Sequence, residues 1–160
     1  MGLGVELYFI VKTLHVLSAT VLFGTGAGIA FFMLKGQLSG VPAARRFAAS
    51  TTVAADFLFT LPAVIIQPLS GAWLVWHGGF DWRDRWLVVT YALYLLAGAC
   101  WLPVVAIQIR IKRMLDAEAA GGPLDAALLS RLVRWWFALG WPAFGGLVVV
   151  FYLMVAKPSW

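Results

Sequence analysis

Two ionisable side chains stand three residues apart inside the first apolar run of the sequence. Lys12 and His15 belong to YFIVKTLHVLSATVLFGTGAGIAFFMLKG, residues 8–36, where Lys35 is the only other charged residue. Neutral imidazole is a good iron ligand and a lysine can pair with an acidic group, so the two could hold a haem and its propionate or bind an acidic substrate. In the alternative, structural interpretation, Lys12 extends to the headgroups and His15 bonds to a neighbouring helix.

His15 is the stronger candidate because its short side chain cannot reach the membrane surface. With residue 20 as the centre of the span, His15 lies roughly 7 Å from the midplane at 1.5 Å per residue. Gln67 is expected at a similar depth in the second span, and we predict a polar cavity lined by His15 and Gln67. The residues favour haem ligation and a plain hydrogen bond equally. His77 is predicted to lie at the interface, with a second ligand role as the alternative.

Asp56 is the other deep charge, and its depth assigns it to a different site from that of Lys12. The same rise puts Asp56 about 10 Å on the inner side of the midplane and Lys12 about 12 Å on the outer side. We favour structural pairing for Asp56, since an unpaired carboxylate in the membrane is costly. A proton-handling carboxylate is the alternative. The expected structural partners are Arg110, Arg134 and Gln108.

The elements that must position these residues are membrane-spanning helices. Of the 160 residues, 62% are hydrophobic and 12% are charged, which is typical of a membrane protein. Since a span needs roughly 20 apolar residues, four segments qualify, at about 7–34, 52–77, 86–109 and 135–157. The sequence therefore predicts a single domain, 1–160, folded as an all-α four-helix membrane bundle.

Basic residues at the ends of the spans predict the orientation. Eight lie on the side of the first and third links and three on the other, which puts those links in the cytoplasm and both termini on the outer side. The net charge of +5 is spread over these ends, so nucleic-acid binding is excluded. Trp73, Trp76, Trp82, Trp86 and Trp160 are predicted to form the outer aromatic belt, and Trp135 and Trp136 the inner one.

Proline and glycine residues predict how the spans pack. Pro62, Pro68, Pro103 and Pro142 should kink three spans and free the carbonyls of Leu58, Val64, Ala99 and Ala138. Kinks among polar groups favour a central cavity. Gly24 and Gly28 are predicted to form a close-packing face for another helix. The sequence has no hydrolase triad, HExxH motif or Walker loop, so any catalysis would depend on a bound redox cofactor.

The segments KTLHVLSATVLFGTGAGIAFFMLKG, AADFLFTLPAVIIQPLSGAWL, GACWLPVVAIQIRIKRM and FYLMVAKPSW resemble a bacterial family of four-span integral membrane proteins of unknown function. This resemblance implies the bacterial inner membrane. Lys12-x-x-His15 and Val155-Ala-Lys157-Pro158 are more distantly similar to HemJ-type protoporphyrinogen oxidases, four-span proteins that bind haem b through a first-span histidine. That similarity implies His15 as the haem ligand.

The leading hypothesis is therefore a small membrane redox protein that binds haem b. In it His15 ligates iron, Lys12 and Gln67 contribute to the cofactor site, and electrons pass to a quinone or a partner subunit. A cofactor-free accessory subunit of a membrane complex is the alternative, and a proton-coupled transporter using Asp56 is a third. The bilayer is the expected environment, and a homodimer or a larger complex stays open.

Overall fold

The computed structural model describes residues 3–159, which form helices and no strands. In chain order the helices are α1 (Leu3–Leu38), α2 (Pro42–Ala55), a π-helical turn (Asp56–Thr60), α3 (Leu61–His77), α4 (Arg85–Ala119) and α5 (Ala126–Ala156). Because α2, the π turn and α3 are continuous, the chain has four helical segments that are long and apolar enough to cross a membrane. The predicted all-α four-span fold is confirmed.

Several helices extend well beyond the apolar segments that predicted them. The second begins at Pro42, which tolerates a first-turn position because its missing N–H has no helical partner there. The last begins after Asp125, whose side chain accepts a hydrogen bond from the Leu128 amide. Hydropathy locates the stretch that lies in lipid, whereas caps decide where a helix starts. The helices therefore exceed the predicted spans mainly on one side of the bundle, and the spans stay a prediction of the membrane-embedded stretch.

These extensions meet at the end of the molecule that holds the α1–α2 and α4–α5 links, called the basic end below. Arg46 Nε lies 2.6 Å from Asp116 Oδ1, and Lys112 Nζ lies 2.7 Å from Asp116 Oδ2. Gly36 of α1 packs against Ala48 of α2 with no room for a side chain. At this end a hydrophobic cluster fills the space between α1, α2, α4 and α5. It consists of Met33, Ala49, Val104, Ile111, Leu115, Leu129, Leu132 and Trp136.

The opposite end, called the terminal end, holds the start of α1, the α3–α4 link and the end of α5. The Tyr8 ring of α1 stacks on His77 of α3 with centroids 6.0 Å apart. Lys157, just after α5, places Nζ 4.3 Å from the centroid of the Phe80 ring in the α3–α4 link. A second, smaller cluster closes this end and consists of Val75, Trp86, Leu87 and Leu153. Packing is thus concentrated at the two ends of the bundle.

Two tryptophans that were predicted to lie in the aromatic belts are buried inside the bundle, so the prediction is wrong for them. Trp86 is 7% exposed and belongs to the terminal cluster, and Trp136 is 5% exposed and belongs to the basic cluster. Their position near the span ends predicted that they would lie at the membrane interface. Both side chains instead point into the bundle, where neighbouring helices cover them. Trp76, Trp82 and Trp135 are exposed as expected. Trp160 lies outside the described residues.

The middle of the bundle is open on one side. The two hairpin partners α4 and α5 pack along one another, and α1 packs against α2 and α3, but α1 and α5 approach at few positions. One of these is Gly26, on which the Phe144 ring lies. Phe23 extends this contact, with its ring 5.3 Å from Phe144. A side chain at Gly24 or Gly28 would meet nothing within 4 Å, so the expected packing face is not used within the described chain.

Candidate intramembrane binding site

The gap between α1 and α5 forms a cavity of about 580 Å³. It extends along α1 from Leu22 to Leu34, which is roughly 18 Å of helix. Its back wall comes from the π turn, α3 and α4, and nearly all of it is apolar. Exposed side chains of α1 and α5 border the mouth, namely Phe31, Leu34, Trp141 and Val148. The cavity therefore opens sideways, toward the position of the lipid chains.

The few polar groups of the cavity cluster around the π turn. Pro62 has no N–H, so the carbonyl of Leu58 loses its usual helical donor and the turn before it widens. The Leu61 amide then donates to the carbonyl of Asp56, five residues earlier. This turn carries Asp56 and Thr60, which are 2% and 5% exposed and both line the cavity. Turns of this kind recur at functional sites.

A chain of hydrogen bonds leads to Asp56 from α4 and α5. Trp136 Nε1 donates to Gln108 Oε1 over 3.2 Å, and Gln108 Nε2 donates to Asp56 Oδ2 over 2.6 Å. Trp101 Nε1 donates to Asp56 Oδ1 over 3.2 Å. An indole N–H can only donate, so Trp136 fixes which way the Gln108 amide points. Both carboxyl oxygens therefore receive a hydrogen bond from an N–H group.

Of the three partners expected for Asp56, the structure supplies Gln108. Arg110 and Arg134 are exposed at the basic end and form no ion pair with Asp56 among residues 3–159. Both side chains stay on the outside of the bundle, which avoids the cost of burying a charge in the protein interior. Asp56 is thus hydrogen-bonded and has no cationic partner in the described chain.

Two further residues that line the cavity carry hydroxyl groups, which differ in their bonding. Tyr94 donates its hydroxyl hydrogen to the carbonyl of Val64 over 2.7 Å, and Pro68 is the residue that leaves this carbonyl free. The hydroxyl of Thr60 is buried and has no hydrogen-bond partner within the described residues. A buried polar atom left in this way is unusual, and Thr60 is one of the residues that line the cavity.

His15 lies at the contact of α1 with α3, away from this cavity. Its Nδ1 is 2.8 Å from Ser70 Oγ, and Ser70 donates its single hydrogen to the Ile66 carbonyl over 2.6 Å. With the Ser70 hydrogen on the Ile66 carbonyl, the tautomer that fits these contacts is a neutral ring that donates from Nδ1 and carries no hydrogen on Nε2. Gln67 reaches the same place but donates to the His15 backbone carbonyl over 2.9 Å. Gln67 and His15 therefore meet, through the His15 backbone and not through its ring, but neither lines the cavity between α1 and α5 as a polar wall.

The surroundings of His15 satisfy one requirement of a haem site and not the other. An unprotonated Nε2 with Nδ1–H held by a neighbour is the arrangement of a metal-ligating histidine. The ring, however, lies close to Gly71, where a Cβ would be 3.2 Å from Cε1. The cavity begins at Leu22, about 10 Å further along α1. His15 thus fits as an axial ligand, but the expected slot for a porphyrin does not lie beside it.

The other candidate ligands are spread over the terminal end. Lys12 is exposed, with Nζ 5.7 Å from the Tyr8 ring centroid, and does not line the cavity. His77 is exposed and stacks on Trp73 with centroids 4.6 Å apart. Within residues 3–159, no three His, Cys, Asp or Glu side chains cluster as metal ligands.

Sequence reasoning missed four residues that complete these two sites. Ser70 was detectable, since it follows Gln67 by three residues and shares its helix face. Trp101 and Trp136 were obscured because tryptophan in a membrane protein usually marks an interface. Tyr94 could be found only by asking what satisfies the carbonyl that Pro68 leaves free.

Comparison with known proteins places the chain in a family. The sequence model of the family described as "Predicted integral membrane protein (DUF2269)" matches residues 9–158. Nearly the whole chain is covered, so the protein belongs to this family and is an integral membrane protein. No curated protein and no solved structure shows a significant similarity to it. The similarity to HemJ-type oxidases stays a prediction.

Proposed function

We propose that this member of the DUF2269 family is a four-span binding protein for an amphiphilic molecule of the lipid phase. The apolar body of the ligand occupies the cavity between α1 and α5, and its compact polar head lies at Asp56. A quinone or its reduced form is the redox-active member of this ligand class. The observation that carries the proposal is a laterally open apolar cavity with a buried, hydrogen-bonded carboxyl group in its wall.

Size and access both support this function. A volume of about 580 Å³ lies within the usual range of roughly 300–1,000 Å³ for small-molecule sites. Such sites are mostly apolar and have a few polar groups that orient the ligand, as Asp56, Thr60 and Gln108 would here. The mouth faces lipid, so an amphiphile would enter from the bilayer and keep its chain in an apolar medium throughout.

Photolabelling in lipid nanodiscs tests the proposal. The probe is hexadecanol with a diazirine on its chain, and the measurement is labelling that an excess of unlabelled hexadecanol abolishes. Gly98 lines the cavity, and a side chain there would meet nothing within 4 Å. Gly98→Phe should therefore fill the cavity without a clash and reduce competable labelling at least fivefold.

Gly24→Phe is the matched control. Gly24 is equally open but does not line the cavity, so this variant adds the same ring to the outside of α1. Its competable labelling should equal that of the wild type. Equal labelling of the two variants, or no competable labelling in the wild type, would refute the proposed function.

A second candidate, haem b ligated by His15, is favoured by the unprotonated Nε2 of that ring. Bound haem would supply one-electron redox chemistry. His15 would provide the ligating nitrogen, Ser70 would hold the ring in the required tautomer, and Lys12 would offer a charge to an acidic group nearby. Opening of the α1–α3 contact would be required, because Gly71 now lies against the imidazole.

An absorption spectrum decides the second candidate. The protein would be purified in mild detergent after expression with excess haem, beside His15→Ala and Ser70→Ala. A Soret band in the wild type that is absent in His15→Ala and shifted or weakened in Ser70→Ala is the expected result. A featureless wild-type spectrum would remove haem and leave the amphiphile site unaffected.

A further inference from the structure

We infer that the head group bound at Asp56 is a positively charged hydrogen-bond donor of the alkylammonium type. This inference rests on the proposed function and specifies its ligand. An amphiphilic amine would place its ammonium group against the Asp56 carboxylate and its chain in the cavity.

The direction of the hydrogen bonds is the first argument. Trp136 donates to Gln108, Gln108 donates to Asp56, and Trp101 donates to the second oxygen of Asp56. Tyr94 has already given its hydrogen to the Val64 carbonyl. The indole and phenol donors are therefore used inside the protein, and both Asp56 oxygens keep lone pairs that can accept from a ligand. A head group that donates fits this site better than one that only accepts, such as the carbonyl groups of an oxidised quinone.

The missing counter-charge is the second argument. A carboxylate taken out of water needs an opposite charge or neutralisation. The three ion pairs among residues 3–159 all lie at the basic end and involve Asp116 or Glu118. None reaches Asp56, which is 2% exposed. A ligand cation would supply the charge that the described chain does not.

The aromatic lining and the free hydroxyl are consistent with a cationic head. Trp101 and Trp136 bond to Asp56 and Gln108 and also line the cavity beside Phe137. Aromatic rings attract ammonium groups, most strongly where water is absent. Thr60 has a buried hydroxyl with no partner, which can accept one of the three ammonium hydrogens.

Competition among head groups on the same chain tests the inference. The wild type in nanodiscs is labelled with the diazirine hexadecanol, and unlabelled hexadecylamine, hexadecanol and hexadecyl phosphate are compared as competitors. Charged hydrogen bonds in a dry site are strong enough that hexadecylamine should compete about tenfold better than hexadecanol. Hexadecyl phosphate should compete worst.

Asp56→Asn is the diagnostic variant, because it keeps the size of the side chain and removes the charge. It should bring hexadecylamine to within about twofold of hexadecanol. Asp116→Asn removes a carboxylate of the basic end that is remote from the cavity lining and should leave the ranking unchanged.

The outcomes separate the inference from the proposed function. Equal competition by all three head groups in the wild type, or an amine preference that survives in Asp56→Asn, overturns the inference while an amphiphile site remains. Absence of competable labelling overturns both. If Asp56→Asn fails to fold, the ranking in the wild type alone still decides, since a preference for phosphate or no preference contradicts a cationic head.

Discussion

Trp136 can only donate a hydrogen bond, and this property organises the polar centre of the protein. Because its N–H points to Gln108 Oε1, the amide nitrogen of Gln108 must face Asp56. The carboxyl group then receives two N–H groups, the other from Trp101. Each of these donors is inside the protein, where an unmet N–H is costly. The acid is therefore part of the packing as well as a candidate binding group.

Asp56→Ala should consequently lower the free energy of unfolding. It leaves the N–H groups of Trp101 and Gln108 without acceptors, for a net loss of roughly 1–3 kcal/mol. Unfolding midpoints in mild detergent would measure it. Asp116→Ala, which breaks ion pairs at the surface, should shift the midpoint much less. Equal shifts in the two variants would contradict the hydrogen-bond network.

At this scale the sequence predicted the polar residues better than their partners. Depth along the helices gave Gln108 as one of three expected partners of Asp56, and it brought His15 near Gln67. Depth could not predict which atoms bond, since Gln67 donates to the His15 backbone carbonyl and Ser70 bonds to the imidazole ring. A depth estimate fixes height in the membrane and leaves the rotation of each helix open.

Within the helices, a proline leaves a backbone carbonyl without its usual N–H donor, and the surrounding structure compensates for it. The π turn that presents Asp56 lies just before Pro62 in the chain. Pro68 frees the Val64 carbonyl, to which Tyr94 donates a hydrogen bond. The sequence predicted irregular helices at these prolines. It did not predict a π turn, because a lost hydrogen bond can be accommodated by a kink, a wider turn or a side chain, and packing selects among them.

Tyr94→Phe tests the link between Pro68 and Tyr94. The variant leaves the Val64 carbonyl without a donor and should cost about 1 kcal/mol. In a Pro68→Ala background the new backbone N–H can bond that carbonyl, so the same change should cost almost nothing. A double-mutant cycle of unfolding midpoints measures the coupling. Equal costs in both backgrounds would show that the two residues are independent.

The contact of α1 with α2 depends on the absence of a side chain at Gly36. A Cβ there would collide with Ala48, so Gly36→Leu should force the helices apart and cost about 1–3 kcal/mol. Gly24→Leu adds the same group in open space and serves as the control. Thermal unfolding in detergent compares the two, and a stable Gly36→Leu protein would argue against this packing.

Over the whole molecule, the two ends are well packed and the middle is not. The basic and terminal clusters hold the helices together, and the cavity lies between them where α1 and α5 stay apart. Hydropathy predicted the four spans from the sequence. The sequence placed a polar cavity at His15 and Gln67, whereas the cavity between α1 and α5 is lined by neither, because its position depends on which helices fail to touch.

The orientation of the bundle in the membrane remains a prediction that reporter fusions can test. Eight basic residues flank the basic end and three the terminal end, so the terminal end should face outward. Alkaline phosphatase fused after the last residue should be active, and the same enzyme inserted in the α4–α5 link should be inactive. The reverse pattern would invert the assignment.

The central claim is that the cavity between α1 and α5 holds an amphiphile, and the positions labelled by the diazirine hexadecanol test it most directly. Peptide mapping should find competable label on the cavity-facing residues of α1 and α5, with Ala30, Gly140 and Phe144 among them. Non-competable label is expected on outward lipid-facing positions such as Leu95. Competable label confined to outward positions, or absent from both helices, would contradict the account.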